Sequence, residues 1–501
     1  MKGNQIKLGA LLSYASIGIK IAISLVYTPV MLRMLGQHEY GLYQLSASIV
    51  SNLSILILGF GSSYVRFYST AKTQKDKQSI SNLNGMYLLI NGLLAIVVLL
   101  VGFFLAQQPR LVFGSELTNA ELLISQQLLV ILVINLALSF VNMLFNSYIT
   151  ANQNFVFQRL LEILQAFTSP FLQLPLLMLG YGSLGVVLGT TITSIIIYLI
   201  NIIYCFKKLD MQISLKQIDF SLFKEIGKYS SFIFIAMLID QINWSIDIYL
   251  VGRLKGAAAT AVYSIAELID SYFRNFISAF SAVLIPTVHM LIADKADDSV
   301  ISNFFARFGR IQYAILALFG TGFVFFGHPF IFFWAGEGYE DSYIIALILL
   351  LPLMFIGSQT IGIEIRRAKN KQRFYTIVSF FTAVINVVLT AFLLNFFPPV
   401  SAAFSTSITL LINTIILNWD YHKNLGLNMK LFWGNISNIS LALIPPIIYG
   451  VIVVSYVNLY ELSQLLISGI MYVIIYAVSF WIIGLNNEEK QMVVFRRKKK
   501  E

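Results

Sequence analysis

Long apolar runs recur along the whole chain, and they constrain its fold more than any other feature. Each run reaches about twenty residues or more, the length that an α-helix needs to cross the hydrocarbon core of a bilayer. The 501 residues are 57% hydrophobic and 12% charged, whereas soluble chains carry about 25% charged residues. The sequence therefore predicts an all-α integral membrane protein that has no room for a soluble domain.

The breaks between the apolar runs predict fourteen transmembrane spans. Short breaks at Gly36, Tyr181 and Gly256 predict tight hairpins between neighbouring helices. The predicted spans are residues 8–35, 41–68, 83–107, 121–149, 157–180, 182–206, 226–252, 257–292, 305–331, 342–365, 374–396, 400–420, 433–457 and 462–485.

The basic residues predict the orientation of these spans. An even number of spans puts both termini on one side of the membrane. Of the 34 Lys and Arg residues, 27 lie in the termini, the loops and the adjoining span ends on that side, and four lie in the loops and span ends on the other side. Because Lys and Arg concentrate in cytoplasmic loops, both termini are predicted to be cytoplasmic. The net charge of +10 is therefore interpreted as a topology signal, and no nucleic-acid partner is expected.

The two halves of the chain share a motif that recurs at a constant offset. The copies are "RMLGQHEYGLY" from Arg33 and "RLKGAAATAVY" from Arg253, and both fall at the turn that joins the first two helices of a half. The repeat predicts two six-helix lobes related by pseudo-two-fold symmetry. The predicted organisation is an N-lobe at 1–206, a cytoplasmic linker at 207–225, a C-lobe at 226–422, spans 13 and 14 at 423–485, and a basic cytoplasmic tail at 486–501.

Charged residues inside spans 7 and 8 are the strongest functional signal. Asp240 and Asp247 are two helical turns apart and share a face, and Glu267, Asp270 and Arg274 share another. A charge at mid-bilayer costs about 2.5–3.5 kcal/mol on insertion scales, so such residues normally face a cavity or a partner. A purely structural alternative is that Asp270 and Arg274 neutralise each other, because the acid precedes the base by four residues.

Apart from the basic residues in the loops and at the ends of spans, three remain inside the membrane: Lys20, Arg66 and Arg274. When the two copies of the repeat are aligned, Lys20 falls opposite Asp240, so the two lobes place ionisable groups at equivalent depth. This alignment predicts one shared cavity, and an ion pair between the two residues is the alternative interpretation.

Three segments resemble polysaccharide flippases. "RRAKNKQRFYTIVSFFTAVINVVLTAFLL" (366–394) is similar to their loop and helix after span 10, where a basic A-x-N-K segment precedes a helix with a central Asn. "NWSIDIYLVGRLKGAAATAVYSIAELI" is similar to their span 7–8 hairpin, and "GLYQLSASIVSNLSILILGFGSSYVRFYS" to their span 2. One departure is Phe397-Pro398-Pro399 before span 12, where the family often has a glycine turn. The corresponding motif residues in the first segment are Ala368, Asn370, Lys371 and Asn386.

The resemblance implies membership of the multidrug/oligosaccharidyl-lipid/polysaccharide exporter superfamily, with two lobes around a central cavity. It implies a flippase, not an enzyme, that carries undecaprenyl-pyrophosphate-linked oligosaccharide repeat units from the cytoplasmic to the outer leaflet of a bacterial plasma (inner) membrane by alternating access. The product would feed lipopolysaccharide or capsule synthesis. The implied partners are the lipid-linked oligosaccharide, membrane lipids, a polysaccharide polymerase and glycosyltransferases.

The chemistry of such a cargo assigns roles to the intramembrane residues. The pyrophosphate needs cations that replace its water, which predicts contacts with Lys20, Arg66 and Arg274, although Arg66 can also extend to the interface. The sugar needs polar and aromatic groups, which predicts contacts with Asn243, Trp244 and Tyr263. Resetting the carrier needs H⁺ or Na⁺ coupling, for which the candidates are the acids Asp240, Asp247, Glu267 and Asp270.

No catalytic residue, cofactor or metal site is predicted. The four histidines show no metal-ligand spacing, and the one cysteine, Cys205, rules out an internal disulfide.

Three other functions compete with a polysaccharide flippase. A lipid II flippase has the same architecture, a multidrug and toxin extrusion transporter would require an acidic cavity, and a membrane enzyme would require a large outer loop. The longest predicted outer loop, Gln108–Ala120, is short for an enzyme site.

Overall fold

The computed structural model of the chain describes residues 2–57, 60–74, 76–215, 220–485 and 490. Within these residues all regular structure is helical, which confirms the predicted all-α fold. Some side chains inside the described helices lie outside the described part, those of Asp240, Asn243 and Trp244 among them. The basic tail 486–501 also lies outside it, apart from Lys490.

Two continuous helices each contain a glycine with non-helical backbone, Gly36 and Gly256, and we divide them there. The helices are α1 (2–35), α2 (37–53, continued by Ser54–Ile57 and Phe60–Thr73), α3 (Lys77–Gln107), α4 (Asn119–Ala151), α5 (Phe155–Met178), α6 (Gly182–Lys208), α7 (220–255), α8 (257–293), α9 (Asp298–Ala335), α10 (Asp341–Gly357 and Thr360–Ala368), α11 (Gln372–Phe396), α12 (Val400–Leu425), α13 (Met429–Ser440, Leu441–Leu443 and Ile444–Tyr456) and α14 (Leu462–Ser479 and Phe480–Gly484).

The lengths of these helices confirm the membrane prediction. In the described residues eleven continuous helices are long and apolar enough to cross a bilayer, or twelve if the two segments of α10 form one span. Gly36 and Gly256 divide the two longest of the continuous helices, so helices α1–α14 agree approximately with the fourteen spans that the apolar runs predict. The chain is thus a multi-pass membrane protein.

The predicted hairpins at Gly36 and Gly256 are confirmed. Gly36 has φ 73° and ψ 170°, and Gly256 has φ 84° and ψ −175°. This region of backbone space is open almost only to glycine, because a Cβ would collide with the backbone. Both glycines therefore allow a reversal of direction with no intervening loop residues.

Turns with positive φ recur at equivalent connections of the two halves, which extends the repeat seen in the sequence. The pairs are Gly36 and Gly256 after α1 and α7, Gly114 and Gly336 after α3 and α9, Gln153 and Asn370 after α4 and α10, and Asp210 and Gly426 after α6 and α12. The α5–α6 connection departs from this pattern. It has positive φ at Gly180 and Gly182, whereas the α11–α12 connection contains two prolines, whose φ is fixed at negative values.

The described contacts divide the chain into two compact units. The first comprises Met1–Ser264 with Leu394–Pro399, and the second comprises Ile265–Leu393 with Val400–Glu501. The lobe boundaries and the pseudo-two-fold relation expected from the sequence stay predictions.

Helices in the first unit pack through small residues and interdigitating side chains. Because lipid chains are as apolar as leucine, the hydrophobic effect does not drive helices together inside a membrane. Gly102 of α3 lies directly against Val133 of α4, where a Cβ would overlap the valine methyls. On the opposite face of α3, Leu93, Leu100 and Phe104 are each more than half exposed. This second face is the one that meets lipid.

The second unit contains a broken helix. The two segments of α10 meet at a bend of 44° between Gly357 and Thr360. The Thr360 hydroxyl lies 2.6 Å from that of Ser281 on α8 and donates to Gln312 Oε1 on α9 at 3.3 Å. These buried polar groups satisfy one another at the bend, as apolar surroundings require.

Candidate functional site

Lys20 of α1 forms an ion pair between helices in the first unit. Its ammonium lies 2.7 Å from the Glu162 carboxylate on α5, and the Arg159 guanidinium contacts the other oxygen of the same carboxylate at 2.6 Å. Ser16, one turn before Lys20, donates a hydrogen bond to Glu162 at 3.3 Å. Two cations thus surround one anion, and the cluster carries a formal charge of +1.

This first cluster lies within the span and is still accessible. Glu162 is two helical turns beyond Phe155, about 10 Å along α5 at 1.5 Å per residue. The side chains of Lys20 and Arg159 keep 45% and 35% of their surface exposed. Sequence reasoning missed Glu162, and it counted Arg159 with the cytoplasmic loop because Arg159 lies at the edge of the predicted span 157–180.

Arg66 is exposed on α2 and lies over an aromatic ring. Its guanidinium carbon is 4.3 Å from the centroid of the Tyr229 ring and 6.0 Å from that of Phe67. A guanidinium at such distances is attracted to the negative face of the ring. The contact holds Arg66 two helical turns from the end of α2 at Thr73, which fits the interface position weighed for it above.

Asp247 and Tyr263 meet across the α7–α8 hairpin in the first unit. The Tyr263 hydroxyl donates to Asp247 Oδ2 at 3.2 Å, and both side chains are buried. The two residues stand nine before and seven after Gly256, so the hairpin brings them to similar depth. The other candidates on α7, Asp240, Asn243 and Trp244, lie outside the described side chains, and their roles stay predictions.

Arg274 has two acidic neighbours on its own helix in the second unit. Its guanidinium contacts Asp270, and it donates to Glu267 Oε1 at 3.2 Å. Asp270 is buried, whereas the side chains of Glu267 and Arg274 are 15% and 21% exposed. The structural alternative named from the sequence, neutralisation of Asp270 by Arg274, is therefore present. The cluster as a whole carries a formal charge of −1.

Arg274 lies at the middle of α8. It is midway between Gly256 and Ala293, which places it about 27 Å from one end of α8 and about 29 Å from the other at 1.5 Å per residue. The side chains of the cluster are buried or nearly so, so its members depend on one another for solvation.

The flippase-like segment after α10 has clear structural roles. Asn370 adopts positive φ in the turn between α10 and α11, and the Lys371 ammonium donates to the Asn424 carbonyl at 2.6 Å, at the end of α12. On α11, Asn386 Oδ1 accepts hydrogen bonds from the Ser405 and Thr406 hydroxyls of α12 at 3.0 and 3.2 Å. The central Asn thus joins two helices inside the membrane.

A buried ion pair in this unit was missed by sequence reasoning. Arg366 is fully buried at the end of α10, where its guanidinium contacts the Asp420 carboxylate of α12 and lies 5.1 Å from the Tyr421 ring centroid. Its neighbour Arg367 is 57% exposed and pairs with Glu364 at 2.7 Å. The sequence assigned both arginines to a cytoplasmic loop, because a run of basic residues is typical of loops.

The candidate residues therefore form one cluster around Glu162, one pair at the α7–α8 hairpin, and one cluster around Arg274. Among the described residues no group of three or more His, Cys, Asp or Glu side chains is placed to hold a metal ion.

A family comparison identifies the chain. The sequence profile described as "Polysaccharide biosynthesis protein" matches residues 7–292, which is more than half of the chain. The chain belongs to this polysaccharide biosynthesis family. The family resemblance inferred from the sequence motifs is thereby confirmed.

Solved structures share the fold of this family member. A lipid II flippase, MurJ, in an inward closed conformation superposes with a TM-score of 0.73 at 18% identity, covering 95% of this chain and 98% of that one. An inward-facing multidrug resistance transporter of the MATE family gives 0.67 at 13% identity, covering 80% and 96%. A transporter of the same superfamily from Pyrococcus furiosus gives 0.60 at 14% identity, covering 81% and 93%. Comparison with curated proteins finds no significant match.

Proposed function

We propose that this chain is a flippase that moves undecaprenyl-pyrophosphate-linked oligosaccharide repeat units from the cytoplasmic to the outer leaflet of a bacterial plasma membrane. Membership of the polysaccharide biosynthesis family is the observation that carries this proposal. In this proposal the chain works as a transporter without catalytic groups, and two lobes give alternating access to the two sides of the membrane. Both termini face the cytoplasm, as the distribution of Lys and Arg predicts.

The extent of the structural similarity supports a lipid cargo over a drug cargo. The match to the lipid II flippase covers 95% of this chain. The last two helices, from Met429 to Gly484, make up more than a tenth of the chain, so a match of this extent includes part of them. The MATE-family match covers 80% of this chain. The architecture beyond twelve helices is thus shared with a lipid carrier.

The Lys20 cluster suits an anionic headgroup. Glu162 needs only one cation for neutralisation and has two, Lys20 and Arg159, which remain partly exposed. A pyrophosphate that approaches them gains charge-assisted hydrogen bonds and leaves Glu162 with a partner. In this proposal Lys20 is the main phosphate contact, and Arg159 is an addition to the residues predicted from the sequence.

The Arg274 cluster suits a coupling site. With Glu267 and Asp270 both ionised, Arg274 is already neutralised and a phosphate would be repelled. Uptake of a proton by one of these carboxyls removes that repulsion and releases part of the guanidinium for the phosphate. Proton binding and headgroup binding are then favourable together, which is the thermodynamic requirement for coupling. Na⁺ held by the two carboxylates is the alternative.

The cargo is tested by deleting the gene in its native host and locating the lipid-linked repeat units. Spheroplasts are treated with periodate and a membrane-impermeant hydrazide dye, which labels only sugars in the outer leaflet. We expect the deletion strain to accumulate units that become labelled only after lysis, and a plasmid copy of the gene to restore labelling of intact spheroplasts. Units that accumulate unpolymerised on the outside would instead indicate a polymerase or ligase.

The same strains separate the remaining rivals. A drug exporter would leave surface polysaccharide normal and lower the tolerance of the deletion strain to cationic dyes. A lipid II flippase would leave labelled repeat units normal and accumulate lipid II on the cytoplasmic side. Either result would contradict the proposed cargo.

Variants then test the residues. We expect Lys20→Ala to abolish labelling of intact spheroplasts at wild-type protein levels, and Lys20→Arg to retain it. Lys207→Ala, at the exposed end of α6, is the matched control and should transport normally. Arg274→Ala would remove the cation that pairs with Glu267 and Asp270. The better test of this cluster is therefore the combined Glu267→Gln, Asp270→Asn and Arg274→Gln variant, which keeps side chains of similar size and removes their charges. We expect it to fold and to lose transport.

A further inference from the structure

A cavity of about 480 Å³ lies beside Arg110, its one charged lining residue. A second cavity, in the second unit, is lined by three charged residues. It holds about 370 Å³ and lies where α11 begins and α12 ends. It is lined by Lys371, Arg373, Phe374, Ile377, Asp420 and Asn424. This cavity, which we call the α11–α12 cavity, takes no part in the transport steps proposed above.

Positive charge dominates the α11–α12 cavity. Lys371 uses its ammonium on a neutral acceptor, the Asn424 carbonyl, so its charge is uncompensated by that contact. Arg373 is exposed, and no ion-pair partner for it occurs in the described residues. The one acid, Asp420, is neutralised by the buried Arg366 and accepts a hydrogen bond from Asn424. An anion in the cavity would therefore meet two cations and an acid that is already paired.

One wall residue of the cavity, Phe374, is aromatic and packs near Trp419, and the cavity continues into the lipid-facing surface. The ring centroids of Phe374 and Trp419 are 6.3 Å apart, and the Lys423 ammonium lies 4.8 Å from the Trp419 ring centroid. Ile377, which lines the cavity, is 45% exposed on α11, and Ile415, beyond it on α12, is 68% exposed. Tryptophan and basic residues at the end of apolar helices are the usual signature of the headgroup level.

From these observations we infer that the α11–α12 cavity binds the phosphate headgroup of an anionic phospholipid, whose acyl chains lie along the exposed apolar faces of α11 and α12. A soluble phosphate offers the same charge but gains nothing from the apolar surface below the cavity. A zwitterionic lipid offers the chains but places a second cation beside Arg373. The combination of cations above and apolar surface below therefore selects an anionic lipid.

Trp419 provides a direct reporter of occupancy. The other four tryptophans (Trp244, Trp334, Trp433 and Trp481) are replaced by Phe in the full-length chain, which is then reconstituted in phosphatidylcholine vesicles. Fluorescence quenching is measured with increasing fractions of brominated phosphatidylglycerol or brominated phosphatidylcholine. We expect phosphatidylglycerol to bind beside Trp419 about fivefold more strongly than phosphatidylcholine, the selectivity expected for one well-placed cation near the membrane surface.

Charge variants make the assignment falsifiable. We expect Arg373→Gln to reduce the selectivity and Arg373→Glu, whose charge offsets that of Lys371, to bring it close to one, while Lys207→Gln on α6 leaves it unchanged. Equal quenching by the two lipids in the parent, or unchanged selectivity in both Arg373 variants, would overturn the inference. Loss of selectivity on adding inorganic phosphate would assign the site to a soluble anion instead.

A second measurement avoids the tryptophan substitutions. Native mass spectrometry of the unmodified chain, with phosphatidylglycerol and phosphatidylcholine in competition, should show retained phosphatidylglycerol that Arg373→Gln diminishes. Equal retention of both lipids by the unmodified chain would also refute the site. These outcomes are independent of the oligosaccharide-labelling results, so failure here and failure of the proposed transport function are distinguishable.

Discussion

Gly36 and Gly256 occupy equivalent positions in the two copies of the repeat and share one backbone conformation, with φ 73° and 84° and ψ 170° and −175°. Each reverses the chain between the first two helices of its half. In the first unit the reversal brings α2 against the start of α8, where a Cβ on Gly41 would overlap the Ala257 carbonyl. The duplicated motif therefore encodes a backbone geometry in both halves and a close helix contact in the first.

Replacing either hairpin glycine should destabilise the protein. Gly36→Ala and Gly256→Ala put a Cβ into a region of backbone space that costs about 1–3 kcal/mol to occupy. We expect a lower midpoint of thermal unfolding for each purified variant in detergent. Gly18→Ala on α1 is the control, because nothing lies within 4 Å of its added Cβ and alanine favours helix. An equal loss in all three variants would argue against the hairpin geometry.

Lys20 and Arg274 should differ in how much the fold depends on them. Lys20→Ala leaves Glu162 paired with Arg159, so we expect a cost below about 1 kcal/mol, as for partly exposed pairs. Arg274→Ala leaves Glu267 and Asp270 without their cation, which can cost up to about 3–5 kcal/mol for a buried pair. Each purified variant is heated to a series of temperatures, and the fraction that remains folded is measured by size-exclusion chromatography. The resulting unfolding midpoints give the difference in stability. Similar midpoints would show that the two clusters are not organised as described.

The buried Arg366–Asp420 pair should be among the most sensitive contacts of the second unit. Arg366→Met strands a buried carboxylate, and breaking such pairs costs about 3–5 kcal/mol. Adding Asp420→Leu should recover much of that loss, since two apolar groups replace two charges. Arg367→Ala is the adjacent control, because Arg367 is itself largely exposed in its pair with Glu364, and exposed pairs contribute about 0–1 kcal/mol. A single Arg366 variant as stable as the wild type would refute the pair.

The hydrogen bonds of Asn386 should contribute modestly. Asn386→Leu removes the acceptor shared by Ser405 and Thr406, and interhelical hydrogen bonds in membranes contribute about 0.6 kcal/mol on average. We therefore expect a small decrease in the unfolding midpoint, larger than that of Thr414→Val, whose hydroxyl bonds to its own helix. A loss of stability no larger than that of Thr414→Val would contradict a contribution of these interhelical hydrogen bonds.

Local patterns explain which parts of the fold the sequence predicted. Apolar runs of about 20 residues predict membrane helices, because every backbone N–H and C=O group in the hydrocarbon core must form its hydrogen bond within the segment. Glycines at the breaks predicted the hairpins. The acid–base order of Asp270 and Arg274 suggested their ion pair, since residues four apart on a helix are neighbours whatever the rest of the chain does.

Contacts between helices were beyond such reasoning. Lys20 pairs with Glu162 on α5, which is far from it along the chain and which the repeat did not indicate; the side chain of Asp240, to which the repeat matched Lys20, lies outside the described residues. The basic run at 366–373 indicated a loop, but packing of α10 against α12 buries Arg366 beside Asp420. Periodicity shows which side of a helix is polar, whereas the identity of the facing helix depends on the packing of the whole unit. The sequence by itself therefore determined the helices, their reversals and the ion pair within α8, and only the tertiary structure decided which charges on different helices meet.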